Sequence, residues 1–184
     1  MEMTGEQIIP AAQAEVWRGL NDPEVLKSCI SGCESIERLS DTEYTIVTTA
    51  AIGPVKAKFR GKLQLADIDA PNSYSLAFDG QGGVAGFGKG SAKVSLTAEG
   101  ASTRLSYAVK AQVGGKLAQI GSRLIDGVAK KLADDFFTAF NQKMAATSTA
   151  PERSPIAAKA TPGASPLWWV IGVIAIIALL AHVT

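Results

Sequence analysis

Few residues in this chain could do chemistry, and their spacing eliminates most of them. Residues 83–92, GVAGFGKGSA, meet the pattern G-x-x-x-x-G-K at Gly83, Gly88 and Lys89, but Gly90 stands where a Ser or Thr hydroxyl would hold a metal. A phosphate cradle also needs a helix opening directly after the glycines. The next residues are SAKVSLTAEG, where Ala92, Val94, Leu96 and Ala98 alternate with Ser91, Lys93, Ser95 and Thr97, the period of a half-buried strand. The glycines are therefore expected to form a hairpin or bulged turn, and nucleotide binding is not expected.

Catalytic constellations fare no better. The one histidine, His182, lies far from the rest of the candidate chemistry, so a Ser-His-Asp or Cys-His arrangement in the main domain is excluded. Cys29 and Cys33 are four apart. On a continuing helix they would share a face, yet two thiols without a histidine make half a zinc site. Three readings stay open for them: small buried hydrophobes, pocket lining, or redox and metal chemistry. Asp134 and Asp135 are adjacent on an expected helix and point apart, as solvated surface carboxylates do. No metal site and no catalytic residue is expected, and the chain is not read as an enzyme.

The elements that must position any site divide the 184 residues into three parts. Residues 167–183, LWWVIGVIAIIALLAHV, form an apolar run that would cover about 25 Å as a helix, within the range of a membrane span. Trp168 and Trp169 stand where an interfacial aromatic anchor would. Arg153 and Lys159 precede the run and no Lys or Arg follows it, so the expected orientation leaves the preceding domain in the cytoplasm, at the inner membrane. The N-terminal MEMTGEQIIP lacks the charge and apolar order of a signal peptide. Residues 146–166, rich in Pro, Ala, Ser and Thr, read as a disordered tether. The folded domain is then residues 1–145. Its net formal charge, with the rest of the chain, is only +1, which gives no reason to expect nucleic acid.

Within that domain EQIIP begins as a strand, PAAQAEVWRGLND continues as a helix with Pro10 in its first turn, and a second short helix starts at Pro23 and ends near Gly32. Six strands are expected near 34–40, 43–52, 55–69, 72–80, 88–98 and 102–113, in an antiparallel meander. From Lys116 to about Met144, Leu117, Ile120, Leu124, Val128, Leu132, Phe136, Phe140 and Met144 recur three or four apart, which predicts one long amphipathic helix. The expected fold class is α+β, a helix-grip architecture with a curved antiparallel sheet of about seven strands around a long C-terminal helix, plus a C-terminal transmembrane helix.

The segments VWRGLNDPEVLKSCISGCESIE, GPVKAKFRGKLQL, GKGSAKVSL and GGKLAQIGSRLIDGVAKKLADDFFTAF resemble the carbon monoxide dehydrogenase G-subunit family of the START-like (polyketide cyclase and lipid-transport) superfamily, over residues 3–144. Ser31-Gly32 departs from the family's usual Pro-Gly, a change expected to loosen a loop without altering the fold. The resemblance implies a non-catalytic accessory protein that recruits a molybdenum-containing carbon monoxide dehydrogenase, or a related hydroxylase, to the cytoplasmic membrane. It also implies a deep pocket for a lipophile such as a respiratory quinone, menaquinone or ubiquinone, with no tightly bound cofactor.

The residues allow such a pocket. One face of the strand from Val55 carries Val55, Ala57, Phe59, Gly61, Leu63 and Leu65, a mixture of large and very small side chains, and Gly90, Ala92 and Ala111 continue it. The expected ligand-binding set is Phe59, Phe78, Phe87, Leu117, Ile120, Gly121, Leu124, Ile125 and Val128. The competing reading has the gaps filled by Phe136, Phe137 and Phe140. Gly121 has two readings, tight approach to the sheet or clearance for a ligand. On the opposite face, Lys56, Lys58, Arg60 and Lys62 form a row that suits anionic lipid headgroups, an acidic partner patch, or protection of a sheet edge. Two functions remain in view, a ligand-carrying adaptor and a purely structural anchor with a solid core; a START-like cyclase or hydrolase comes last, for want of a tuned base.

Overall fold

The structure is a computed structural model that describes residues 1–148. Alternation of apolar and polar residues builds seven strands: β1 (Glu2–Ile9), β2 (Cys33–Arg38), β3 (Glu43–Ile52), β4 (Val55–Asp69), β5 (Ser73–Gln81), β6 (Phe87–Glu99) and β7 (Ser102–Gly114). They form one sheet in the order β1-β7-β6-β5-β4-β3-β2 with every pairing antiparallel. From β2 to β7 the chain meanders, and β1 closes beside β7. Between β1 and β2 lie α1 (Gln13–Leu20) and α2 (Pro23–Cys29); after β7 come α3 (Lys116–Gln119) and α4 (Ser122–Ser148).

The register puts the apolar residues on one face. Leu63 on β4 lies opposite Phe78 on β5 and Tyr44 on β3, Leu65 opposite Leu76, Leu76 opposite Ala92, and Ala92 opposite Val109. The core sits where this face meets α1 and the second half of α4: Ile9, Val16 and Phe140 are wholly buried, with Leu105, Phe137 and Met144 around them. Thr103, also fully buried, donates its hydroxyl hydrogen to the carbonyl of Ala11 at 2.8 Å, so the polar group is satisfied inside the core.

Two helix boundaries differ from expectation. Strand β1 stays paired with β7 up to Ile9, and a tight turn, Ala11 N–H to the Ile9 carbonyl at 2.8 Å, occupies the next residues, so Pro10 precedes α1 instead of opening it. The expected single helix from Lys116 is broken at Gly121, whose φ of +96° cannot continue a right-handed helix. Pro23 does open α2, with Asp22 capping it by accepting from the N–H groups of Glu24 and Val25. That helix ends at Cys29, and Gly32, at φ +73°, turns the chain into β2. A side chain at Gly32 would strike the Thr49 carbonyl, so the glycine of this loop is required whatever precedes it.

The α+β reading with a seven-stranded sheet holds, but its transmembrane helix is corrected. Among the described residues no helix is long and apolar enough to cross a membrane. The long α4 is amphipathic, with Arg123, Asp126, Lys130, Lys131, Asp134, Asp135 and Lys143 along it. Residues 167–183, with Trp168 and Trp169, lie outside the described residues.

Candidate functional site

Between the inner face of the sheet and the helices lies an apolar cavity of about 310 Å³. Its floor is Leu63 and Leu65 of β4, Leu76 of β5, Ala92 and Val94 of β6, and Leu105 and Val109 of β7. Leu20 at the end of α1, Leu26 in the middle of α2 and Ile30 just after it close one side, and Ala133, Phe136 and Phe137 of α4 form the roof. Among the described residues no Asp, Glu, Lys, Arg or His lines it. Its polar groups belong to Asn21 and three tyrosines, Tyr44, Tyr74 and Tyr107, which are all the tyrosines of the chain. Aromatic contacts stiffen the walls: Tyr107 stacks on Phe137 with centroids 5.3 Å apart, and Tyr74 meets Trp17 edge-on at 5.5 Å. The phenylalanines thus divide the work. Phe140 fills the core, whereas Phe136 and Phe137 wall a space they do not fill.

A second apolar groove of about 300 Å³ adjoins the cavity and shares Ile30, Ala133 and Phe136 with it, continuing past Thr48, Ala50 and the exposed Leu132. On the other flank of α4 a more polar groove, lined by Glu2, Asp126 and Lys130, shares Met3 and Tyr107 with the cavity.

None of the nine residues expected to bind ligand lines this cavity. Phe78 lies across from Leu63 of the floor, while Phe59, Phe87, Ile120 and Leu124 lie toward the other end of the sheet. Phe59 lies against Gly82 in the β5–β6 connection, and Phe87, partly exposed, against Gly114. Phe78 borders a shallow polar groove with Asp79, Lys89 and Lys110. Ile120 and Leu124 line a surface groove with Pro54 and Val55, while Leu117 and Ile125 are buried and Val128 is half-buried. Tight approach to the sheet is not the reason for Gly121: nothing stands near the position of its missing side chain, and the backbone there has positive φ. The small inward residue Ala92 does line the cavity. The glycine-rich stretch is a 3-10 turn over Gly83–Ala85 leading into β6, with no helix behind it and hence no phosphate cradle.

The basic row is exposed on the outer face of β4. Arg60 and Lys62 lie where β4 is paired with both β3 and β5, so edge protection does not explain them; residues 55–59 of β4 pair with β3 alone, so that reading stays open for Lys56 and Lys58. Lys58 pairs with Glu34 at 2.7 Å, and Thr49 also donates to that carboxylate. These bonds, Lys58 first, hold the Glu34 carboxyl below the usual glutamate range. Because α2 ends at Cys29, the two cysteines do not share a helical face: Cys29 is buried and Cys33 half-buried on β2. Burial raises the Cys33 thiol, only partly opposed by Lys27, so a reactive thiolate is disfavoured.

Comparison with known proteins agrees with this architecture. A conserved protein from Geobacillus kaustophilus is 35% identical, with a TM-score of 0.75, over 80% of this chain and 97% of that one. That solved chain is little more than the matched domain. A START superfamily protein from Mycobacterium smegmatis (12% identity, TM-score 0.62, 79% of this chain and 98% of that) and TTHA0849 from Thermus thermophilus (18%, 0.62, 81% and 100%) share the fold. No curated protein matches the chain. The family model for CoxG, the G subunit of carbon monoxide dehydrogenase, matches residues 5–145, nearly the whole described domain. On that match and the START-like fold that carries it, the chain belongs to the CoxG family, the carbon monoxide dehydrogenase G-subunit family.

Proposed function

We propose that this domain is a non-catalytic carrier that takes a lipophilic molecule, a respiratory quinone of the menaquinone or ubiquinone type, into its cavity and presents it to a molybdenum-containing carbon monoxide dehydrogenase or related hydroxylase. The observation that carries the reading is the lining: about 310 Å³ walled by aliphatic and aromatic side chains with no charged group. Apolar surface brought into such a space from water or lipid headgroups is stabilised by about 25 cal/mol per Å². A volume near the lower end of ligand sites holds a ring head and the first part of a chain, and the groove toward Leu132 offers the remainder an apolar path. The exposed cations Lys56, Arg60 and Lys62 supply a docking face for an acidic patch on the enzyme or for anionic headgroups.

Localisation at the cytoplasmic membrane, with the domain facing the cytoplasm, is part of this proposal. Its support is the apolar sequence of residues 167–183. Fractionation of cells making the chain with and without residues 165–184 tests it; a chain that stays in the soluble fraction in both forms refutes it.

The carrier reading is tested by solvent extraction and mass spectrometry of purified residues 1–148 from cells that make quinones. A stoichiometric quinone or other long-chain lipid is expected. A lipid-free domain that also takes up no added quinone would instead make it a purely structural anchor, acting through its docking face alone.

A further inference from the structure

Four polar side chains reach the cavity, and their hydrogen bonds differ. The Asn21 amide donates to the Trp17 carbonyl at 2.8 Å, and the Tyr44 hydroxyl donates to the Asn21 carbonyl at 3.3 Å, so both are engaged by backbone. Tyr107 is half-buried, and its hydroxyl rests over Gly5 beside the polar groove of Glu2 and Lys130. Tyr74 is different. It is only 7% exposed, sits on the central strand β5 and is held edge-on by Trp17 in the cavity lining, but its hydroxyl is not sealed in the core: among the described residues the fully buried side-chain polar atom left without a partner is Asn141 Oδ1. Burial, then the neighbouring Tyr44, pushes its ionisation far above the ordinary tyrosine range, so the group is a neutral O–H donor throughout physiological pH.

A hydroxyl that faces the cavity is free to donate to a ligand that enters it. The cavity wall offers no cation, so a carboxylate or phosphate head would be buried without a counter-charge.

Resting on the carrier reading above, we infer that Tyr74 selects the ligand's head: its hydroxyl donates to an oxygen of a neutral ring, a ketone or quinone carbonyl, that enters the cavity head-first. Fatty acids and phospholipids are excluded by charge, and plain hydrocarbons bind without the hydrogen bond. Tyr74 is thus a specificity-determining residue that the apolar periodicity of the sequence does not single out.

The test uses residues 1–148 and three bicyclic probes of similar size in equilibrium dialysis: 2,3-dimethyl-1,4-naphthoquinone, blocked at both positions where a thiol would add, 2,3-dimethylnaphthalene, and 2-naphthoate. The native domain should bind the quinone about tenfold tighter than the hydrocarbon, and the carboxylate weakest. Tyr74→Phe should weaken the quinone about tenfold, to the hydrocarbon's level, while leaving the hydrocarbon unchanged. Isotope-edited infrared spectra of the quinone bound to the native domain should show one carbonyl stretch lowered by hydrogen bonding, a readout that does not depend on the variant folding. The inference is overturned if Tyr74→Phe keeps the quinone preference, if it weakens quinone and hydrocarbon alike, or if the bound carbonyls are unshifted. In those cases the carrier reading survives; if neither the quinone nor the hydrocarbon binds the native domain, both fall.

Discussion

Ala92 offers a perturbation whose sign depends on whether the cavity is open. It is 8% exposed, faces inward opposite Leu76 and Val109, and lies in the cavity floor. Ala92→Leu adds three carbon atoms at that point. If they enter empty apolar space, the gain is at most about 0.8 kcal/mol for each carbon, or about 2 kcal/mol. For a domain near this size that is a rise of about 4–8 °C in melting temperature. If the wall were already close-packed, the same carbons would force side chains off their rotamers and cost about 1–3 kcal/mol. Thermal unfolding of lipid-free residues 1–148 reads the sign, and equilibrium dialysis with 2,3-dimethyl-1,4-naphthoquinone reads the consequence. The variant is expected to melt higher and to lose the quinone, because the leucine takes the ligand's place. A melting temperature that falls while quinone uptake stays unchanged would refute the cavity as the binding site.

Other features give further expectations. Thr103→Val should cost about 1–3 kcal/mol in denaturant unfolding, since it strips the Ala11 carbonyl of its donor inside the core; a change near zero would mean that the carbonyl finds another partner. Asp22→Ala removes the cap of α2 and should cost about 1 kcal/mol, with Asp22→Ser recovering most of it. Glu34, whose folded ionisation is lowered, contributes stability that is present above the ordinary glutamate range and lost as pH falls through the lowered value. Its carboxyl resonance should therefore titrate below the usual range, and Lys58→Met should move it back up; a titration that Lys58→Met leaves in place would refute the pairing.

Much of the fold was legible because strand and helix periods are written directly into the chain. The strict alternation from Val55 to Leu65 fixes which face of β4 is inward, and the structure keeps it residue for residue. The break at Gly121 was not legible from that signal. Leu117, Ile120 and Leu124 continue the helical period across it, and periodicity carries no information about the sign of φ. The pair Gly121-Ser122, a residue free to adopt positive φ followed by a good helix starter, was the available cue. Assigning the basic row to an internal strand needed the sheet order, which alternation within a single strand does not contain.

The cavity was displaced from its expected place for a related reason. Alternation identifies an inner face along its whole length, from Val55 to Leu65, but does not say which part of it a helix will cover and which a ligand could. That choice is made by non-local packing: α1 and α2 bring Leu20, Leu26 and the following Ile30 over the Leu63–Leu65 end, and α4 lays Phe136 and Phe137 across it. At the other end Leu124 and Phe87 reach solvent, and Ile120 and Leu124 line a surface groove there. A physical signal for the cavity end did exist. Tyr44, Tyr74 and Tyr107 each fall at inward positions of their strands, and a tyrosine pointing inward brings a hydroxyl that a solid hydrocarbon core cannot satisfy. Three such residues on different strands mark the part of the face where the cavity lies.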